Sequence, residues 1–262
     1  MKSTALRFKK TCIIFFWLMV WQAVSLAVHN SIILVGPWEV IRALWVQAAL
    51  PDFWKTIVLS FGKISLGFVL AFTTGILAGG AAFCYPFFKD LLEPLVSLIK
   101  SVPVASFVIL ALIWIGSKNL SVFISFLVVF PMIYIQTMAG FLSTDPRLLE
   151  MARVFHMTGG KKLLYIYRPA LLPYLTSGCK AALGMSWKSG IAAEVIGVPG
   201  HSIGEKLYMA KIYLSTADLF AWTLVIIVIS VLFETFILWL LHLAEPGLPA
   251  YKRREGNPWT LK

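Results

Sequence analysis

Six long apolar runs constrain the fold of this chain more than any other feature of its sequence. They cover about residues 11–28, 54–84, 94–116, 120–142, 170–196 and 218–243. A helix of about 20 apolar residues crosses the hydrocarbon core of a bilayer, and lipid forces a backbone to satisfy its own hydrogen bonds. The sequence therefore predicts an all-α, multi-pass membrane protein with about six transmembrane helices.

Composition agrees with the membrane class. Of the 262 residues, 59% are hydrophobic and 13% are charged. The formal net charge of +11 is compatible with nucleic-acid binding. In a multi-pass chain, however, a basic excess more often reflects the Lys and Arg residues that stay on the cytoplasmic side. We therefore expect the lipid bilayer as a partner, and no nucleic acid.

The loop charges predict the orientation of the chain. With six spans both termini lie on one side, and that side carries most of the Lys and Arg residues of the loops and termini. The positive-inside rule makes this side cytoplasmic. The basic N-terminus before residues 11–28 imitates a secretory signal peptide. Because the run is longer than a usual signal core, we expect an uncleaved first helix.

This pattern divides the chain into three parts. Residues 1–53 hold the first transmembrane helix and an outer interfacial helix, 54–243 form the core around a polar segment at 143–169, and 244–262 form a basic cytoplasmic tail. A second short outer helix, packed over the membrane domain, is predicted from an apolar stripe at Ile203, Leu207, Ala210 and Tyr213.

Two prolines distinguish the third run. Pro94 and Pro103 flank Lys100, and proline bends a membrane helix where neighbouring groups satisfy the freed carbonyl oxygens. A broken helix that lines a pathway and a plain packing kink are both compatible with this pattern.

Several charged residues fall inside the predicted spans, where a charge at the bilayer centre costs at least ~2.5 kcal/mol. Lys100 and Lys180 lie near span ends, so their side chains can extend to the cytoplasmic surface. Lys188 and Glu234 lie nearer mid-span, and we expect them either to pair or to line a cavity. The candidate residues of a translocation pathway are Lys63, Ser186, Lys188, Glu194 and Glu234.

Small residues recur at four-residue spacing in the second and fifth runs, which lets helix backbones approach closely. One row continues to Lys63 and the other to Glu194 at their outer ends. We hypothesise that these two spans pack together and that Lys63 meets Glu194. The alternative is two independent side chains that extend to water. The rows are Gly67, Ala71, Gly75 and Gly79, and Gly178, Ala182, Ser186 and Gly190.

The polar segment 143–169 predicts two short helices. Asp145 and Pro146 are typical of a helix start. Gly159 and Gly160 predict its end, and a second helix over 161–167 is expected to end before the proline that opens the fifth span. An amphipathic loop held at the inner leaflet by basic residues is one interpretation. The stripe of the first helix is Leu148, Met151, Ala152 and Phe155.

Glu150 and Ala152, followed by Ile166 and Pro169, make this segment resemble the EAA loop of bacterial ABC importer permeases. Met151, His156 and Arg168 replace the alanine, glycine and leucine of that pattern. The flanking residues 99–116 and 178–197 are similar to the nitrate/sulfonate/taurine/bicarbonate permease group, and the resemblance covers about residues 54–243. The positions that match the loop pattern in type and spacing are Glu150, Ala152, Ile166 and Pro169.

The resemblance implies the permease subunit of a type I ABC importer in a bacterial inner membrane. It implies a second permease copy, two ATPase subunits that bind ATP and Mg²⁺, and a solute-binding protein docking near 37–52 and 199–216. The cargo would be a small anion or a heteroaromatic vitamin precursor. By this resemblance Glu150 would face a basic residue of the ATPase. The residues implied in coupling are Glu150, Met151, Ala152, His156, Gly159, Gly160, Ile166 and Pro169.

The sequence offers no enzyme chemistry of its own. No phosphate-binding G-x-x-x-x-G-K-[ST] motif, catalytic triad or metal-ligand spacing is present, so we expect no cofactor or metal in this chain and ATP hydrolysis by the partner. The alternative function is a proton-coupled secondary transporter that uses Glu194 or Glu234 as a relay.

Overall fold

The computed structural model describes residues 2–243, with side chains from residue 11 onward. The predicted tail 244–262 and the basic side chains before residue 11 lie outside this range. All regular structure in the described range is helical, which confirms the predicted all-α class. The helices are α1 (Lys2–Val28), α2 (Pro37–Ala48), α3 (Pro51–Cys84), α4 (Pro86–Ser101), α5 (Val104–Ile115), α6 (Leu120–Leu142), α7 (Pro146–Val154), α8 (Gly159–Lys162), α9 (Arg168–Gly197), α10 (Ile203–Ile212) and α11 (Thr216–Leu243).

Four helices are long and apolar enough to cross a membrane, and they match four of the predicted runs: α1, α3, α6 and α11. A fifth crossing is possible if the bent pair α4 and α5 forms one span. The 30-residue helix α9 has the length to cross, but its lysines and Glu194 make it less apolar than the others. Crossing by α9, and with it the count of six, stays a prediction.

The third predicted run is not a single straight helix. The axes of α4 and α5 differ by 107°, and the break lies at Val102, whose backbone is extended (φ −81°, ψ 131°). Proline drives the preceding residue out of the helical region, so Pro103 explains the break. Pro94 lies within α4 without ending it. With 12 residues, α5 is about 18 Å long, so it is too short to cross alone.

Helix α6 is the central helix of the bundle, and α3 and α9 make their most extensive contacts with it. A Cβ on Gly67 of α3 would lie 2.4 Å from the Val122 carbonyl oxygen of α6, and one on Gly178 of α9 would lie 2.6 Å from Gln136. The predicted small rows therefore face α6. The expected packing of the second span on the fifth is limited to places such as Gly190, which meets Ile64.

An aromatic cluster holds α11 against this centre. Phe233 of α11 makes edge-to-face contacts with Phe61 and Phe68 of α3, with ring centroids 5.3 and 5.7 Å apart. It also lies edge-on to Trp187 of α9, at 6.2 Å. Such pairs contribute about 0.5–1.5 kcal/mol each beyond their burial, so α3, α9 and α11 share one core.

Two short helices cover one end of the bundle, where α3 begins and α9 ends; we call this the outer end. Val40 of α2 packs against Ala221 of α11, while the tryptophans of α2 are exposed, as predicted for an interfacial helix. In α10 Ile203 and Ala210 are buried, which confirms the predicted packing. Tyr213 was wrongly placed on that stripe, because it follows the helix end and is 77% exposed.

Gly67→Ala tests the close contact of α3 with α6. We expect it to lower the free energy of unfolding by about 1–3 kcal/mol, because the new methyl group would overlap a backbone carbonyl that cannot move aside. Gly62→Ala on the same helix is the control, since a Cβ there has no atom within 4 Å. Thermal unfolding of the purified protein in detergent measures both. Equal midpoints for the two variants would contradict the packing of α3 on α6.

Candidate functional site

The polar segment forms a short helix, α7, that stands at the end of the bundle opposite to the outer end. Its start is as predicted, since the Asp145 carboxylate accepts a hydrogen bond from the Arg147 N–H (2.9 Å). Only Ala152 of α7 is buried, at 0% exposure, while Val154 and Phe155 are 75% and 73% exposed. The apolar stripe of α7 is thus largely uncovered, as in surfaces that dock a partner.

The end of α7 differs from the prediction. The helix ends at Val154, and His156 adopts a left-handed backbone (φ 47°). The Met157 N–H donates to the Ala152 carbonyl (2.9 Å) and the His156 N–H to the Arg153 carbonyl (3.0 Å). This is a Schellman cap, in which the left-handed position usually holds glycine. His156 therefore keeps the bend where the family pattern has glycine.

Gly159 and Gly160 were predicted to end α7, and this prediction is wrong. They begin α8, after Thr158. The predicted stop before Pro169 is also wrong. A five-residue π-helical segment, Leu163–Tyr167, joins α8 directly to α9. A π segment changes the register of the backbone hydrogen bonds. Pro169, which has no backbone N–H to donate, follows this segment directly, where the α-helical hydrogen-bond pattern is already altered. Helix therefore runs without a break from Gly159 to Gly197.

The residues predicted for coupling fall into two groups. Ile166 is buried, like Ala152, and Pro169 is half-buried, so these positions hold the segment to the bundle. The others have exposed side chains or backbone. These exposed residues are Glu150, Met151, His156, Gly159 and Gly160.

At the outer end Glu194 lies at the junction of α3, α9 and α10, with 0% exposure. One carboxylate oxygen, Oε2, accepts hydrogen bonds from the Ser60 hydroxyl (2.7 Å) and the Gly204 N–H (3.2 Å). Ser60 in turn accepts from the Ile203 N–H (2.9 Å). Because Ile203 and Gly204 open α10, the positive end of that helix faces the carboxylate. The junction therefore accommodates an acidic side chain inside the bundle.

Gly204 makes this contact possible. A Cβ at this position would lie 2.3 Å from Cβ of Glu194 and 2.4 Å from its carbonyl carbon. Since the obstructing atoms are mostly backbone, no side-chain motion would relieve the overlap. A variant of the capping box supports the helix start, because the N-cap Ser202 accepts from the Glu205 N–H and Glu205 accepts from the N–H of His201, one residue before the cap. The S-x-x-E spacing was the signal that could have revealed this helix start.

The predicted contact between Lys63 and Glu194 is wrong as an ion pair. Lys63 lies within electrostatic range of Glu194, but between these two described side chains no nitrogen–oxygen distance is within 4 Å. Ser60, one turn before Lys63 on α3, supplies the nearer partner. The partners of the Glu194 carboxylate are therefore the Ser60 hydroxyl group and the N-terminus of α10, and not the Lys63 ammonium group.

The remaining pathway candidates are not brought together by ion pairing. Ser186 is buried, and its carbonyl accepts a hydrogen bond from Ser125 of α6 (3.3 Å). Lys188 is exposed and Glu234 is half-buried. In the part of the chain that the structure describes, no ion pair joins Lys188 to Glu234. Of the two expectations for these residues, pairing is wrong and a role at a cavity stays a prediction.

Two adjoining cavities lie beside the break between α4 and α5. The first, about 200 Å³, is lined by the end of α4, the start of α5, α6 and Met185 of α9. The second, about 410 Å³, lies between α4 and α6. Lys100 and Ile135 line both. Lys100 is exposed, which agrees with the expected side chain at a span end; its place on the lining of two cavities was not predicted, although the neighbouring Pro103 signalled the break.

A bundle of helices apolar enough to cross a membrane, with a helix exposed at one end, a covered opposite end and cavities beside a broken helix, suits a membrane transport protein. Residues 71–248 match the family described as binding-protein-dependent transport system inner membrane component. The chain belongs to this family. The resemblance to ABC importer permeases is thereby confirmed, and the family favours this function over proton-coupled secondary transport.

Known proteins with similar sequences are transport permeases. The chain is 27% identical over 195 residues to the nitrate import permease protein of Synechococcus elongatus, covering 70% of each chain. It is 26% identical over 245 residues to the taurine transport system permease protein of Escherichia coli, covering 91% of this chain and 84% of the relative. A putative aliphatic sulfonates transport permease protein of E. coli is 28% identical over 200 residues, covering 75% of each.

The fold has a counterpart among solved structures. A chain of the methionine ABC transporter MetNI in an inward-facing conformation superposes with a TM-score of 0.55 and 15% sequence identity. The match covers 80% of this chain and 97% of that one. At this identity the likeness establishes the fold, and it agrees with the helical permease architecture that the sequence predicted.

Glu194→Ala tests the outer junction. We expect it to lower the free energy of unfolding by roughly 1–3 kcal/mol for each buried donor left without an acceptor, namely the Gly204 N–H and the Ser60 hydroxyl. Glu194→Gln keeps a side-chain oxygen as acceptor and should lose less. Thermal unfolding in detergent compares the two variants. If glutamine is as damaging as alanine, the hydrogen bonds described here do not hold the junction.

His156→Gly tests the cap of α7. Because left-handed backbone costs an L-residue about 1–2 kcal/mol, glycine should stabilise the α7–α8 link and slow its cleavage in limited proteolysis. His156→Val should speed cleavage, since a β-branched residue tolerates this conformation poorly. Indistinguishable cleavage rates for the two variants would show that position 156 does not adopt the left-handed backbone.

Proposed function

We propose that this chain forms the membrane pathway of an ATP-driven importer for a small solute that carries an oxyanion group. The named relatives support this solute class. Nitrate, the sulfonate group of taurine and aliphatic sulfonates all present negatively charged oxygen atoms. A bicarbonate transport permease, 28% identical over 191 residues, extends the same chemistry. None of these four names supports the vitamin precursor that the sequence left open.

Energy enters through α7 in this proposal. The observation that carries it is the exposure of Glu150, Val154 and Phe155 on a short helix whose Ala152 is fully buried against the bundle. A charged residue beside exposed apolar side chains suits a groove in a soluble partner, with apolar contacts giving affinity and the charge giving register. Two ATPase subunits, which bind ATP and Mg²⁺, are the proposed partners, together with a second copy of this chain.

A solute-binding protein docks at the outer end in this proposal, near residues 37–52 and 199–216. The surface there is held in shape by Asp52 of α3, which contacts Lys206 (2.6 Å) and His201 (3.2 Å). Exposed aromatic residues of the kind enriched in protein interfaces surround it. They are Trp38, Trp45 and Tyr213.

The location of the protein follows from the same argument. We propose the bacterial inner membrane, with both termini and α7 in the cytoplasm and α2 and α10 on the opposite side. The basic residues of the segment 143–169 support this orientation by the positive-inside rule. The ATPase subunits and the solute-binding protein then meet the chain at opposite ends.

Glu150→Arg tests coupling through α7. Because the exposed carboxylate would become a cation facing a basic partner residue, we expect loss of ATPase co-purification and at least about tenfold lower uptake. Glu39→Arg is the matched control: it makes the same charge reversal on α2, where the side chain is also exposed, and should leave the ATPase bound. Full binding and uptake with Glu150→Arg would overturn the coupling role.

A further inference from the structure

The break between α4 and α5 creates a recess that opens at the side of the bundle, since Lys100, Ile135 and Met185 on its lining are exposed. Because α4 turns away by 107° at Val102, α5 extends only part of the way along α6. Between its contact with α5 at Ile124 and its contact with α4 at Tyr134, α6 forms one wall of the first cavity, from Ile124 to Ile135. Met185 of α9 closes the other side. The recess follows directly from the extended backbone that Pro103 imposes.

The lining of the recess carries charge of one sign only, and that charge is positive. Its lining is apolar except for the backbone and one charged side chain, Lys100. Among the described residues no carboxylate oxygen lies within 4 Å of the Lys100 ammonium group. An ammonium group without a close counter-ion, beside apolar walls, attracts an anion more strongly than it would in bulk water. The recess is therefore matched to a ligand with a negative head and a small body.

The position of Lys100 also connects the recess to a second space. The second cavity is lined by Lys89, Glu93 and Ser97 of α4 and by the final turns of α6 as far as Leu142. Since Lys100 lines both cavities, an anion passing from one to the other would pass its ammonium group. Glu93 lines the second cavity but not the first. Its carboxyl group is therefore separated from the recess by Lys100.

The size of the recess suits a small solute. An apolar protein cavity of about 150 Å³ is known to hold benzene, and the first cavity measures about 200 Å³. Nitrate would fill only part of this volume, whereas a short alkyl sulfonate would occupy more of it. The flexible side chains of Met132 and Met185, which line the recess, can adapt to bodies of different shape.

We propose that the recess is a binding subsite of the translocation pathway, where Lys100 holds the oxyanion group of the solute and the apolar walls hold its body. The proposal rests on the function proposed above, and it assigns to this chain a share of the solute selectivity. Lys100 is the residue that contacts the charged group, and Val128 of α6, on the apolar wall, limits the size of the body.

Uptake of alkanesulfonates tests the subsite. Cells that make the complete importer would be given radiolabelled methane-, ethane- and butanesulfonate below saturation, with permease levels and ATPase co-purification measured alongside. Lys100→Met should lower uptake of each sulfonate by about tenfold or more, as expected for loss of a charge-assisted hydrogen bond. Lys100→Arg should keep most uptake. Lys180→Met is the control, because this exposed α9 lysine lines neither cavity.

A second variant gives a readout that does not depend on protein amount. Val128→Phe fills part of the recess, so it should lower the ratio of butanesulfonate to methanesulfonate uptake several-fold relative to the unchanged protein. An unchanged ratio, or normal uptake with Lys100→Met, would overturn the subsite while leaving the importer function intact. If the unchanged importer takes up no sulfonate, nitrate and bicarbonate become the probes of Lys100→Met; absence of uptake of all these anions would overturn the proposed solute class, and the subsite with it.

Discussion

Close approach of helix backbones at α6 is the constraint on which the rest of the structure depends. Lipid is as apolar as the helices, so burial of apolar surface does not drive them together, and van der Waals packing has to do so. Gly67 and Gly178 allow α3 and α9 to approach α6 from two sides. The Phe233 cluster then adds α11 to this unit. The outer junction, the recess and α7 are all positioned by these central contacts.

Two charged side chains, the buried Glu194 and the exposed Lys100, have different surroundings in this chain. At Glu194 the protein supplies partners for one carboxylate oxygen, Oε2, namely a hydroxyl group and the start of α10, while Oε1 is buried without a hydrogen bond; the Oε2 contacts join α3, α9 and α10. At Lys100 no acidic side chain of the described range approaches closely, and the side chain borders open space. The buried carboxylate, held by groups of the protein, serves assembly, whereas the exposed ammonium group without a close counter-ion suits a passing ligand. The pathway candidates predicted from sequence did not distinguish these cases.

Local patterns in the sequence predicted the helical class, four of the crossings, both outer helices and the family. They failed where the answer depended on distant residues or on a choice between near-equal conformations. Four-residue spacing shows that Gly67 can admit a close neighbour, but it cannot show that the neighbour is α6. Glycine favours a helix end at 159 and 160, yet His156 accepts the left-handed backbone at modest cost. The partners of Glu194 are a hydroxyl and a backbone group, which carry no charge pattern.

The unbroken helix from Gly159 through the π segment to Gly197 has a mechanical consequence. One of its ends adjoins the cap of α7, and the other ends beside Glu194 and the start of α10. Backbone hydrogen bonding continues along this whole length, so in the proposed importer a displacement passed from α7 to Gly159 would reach the Glu194 junction through helix alone, without crossing a loop.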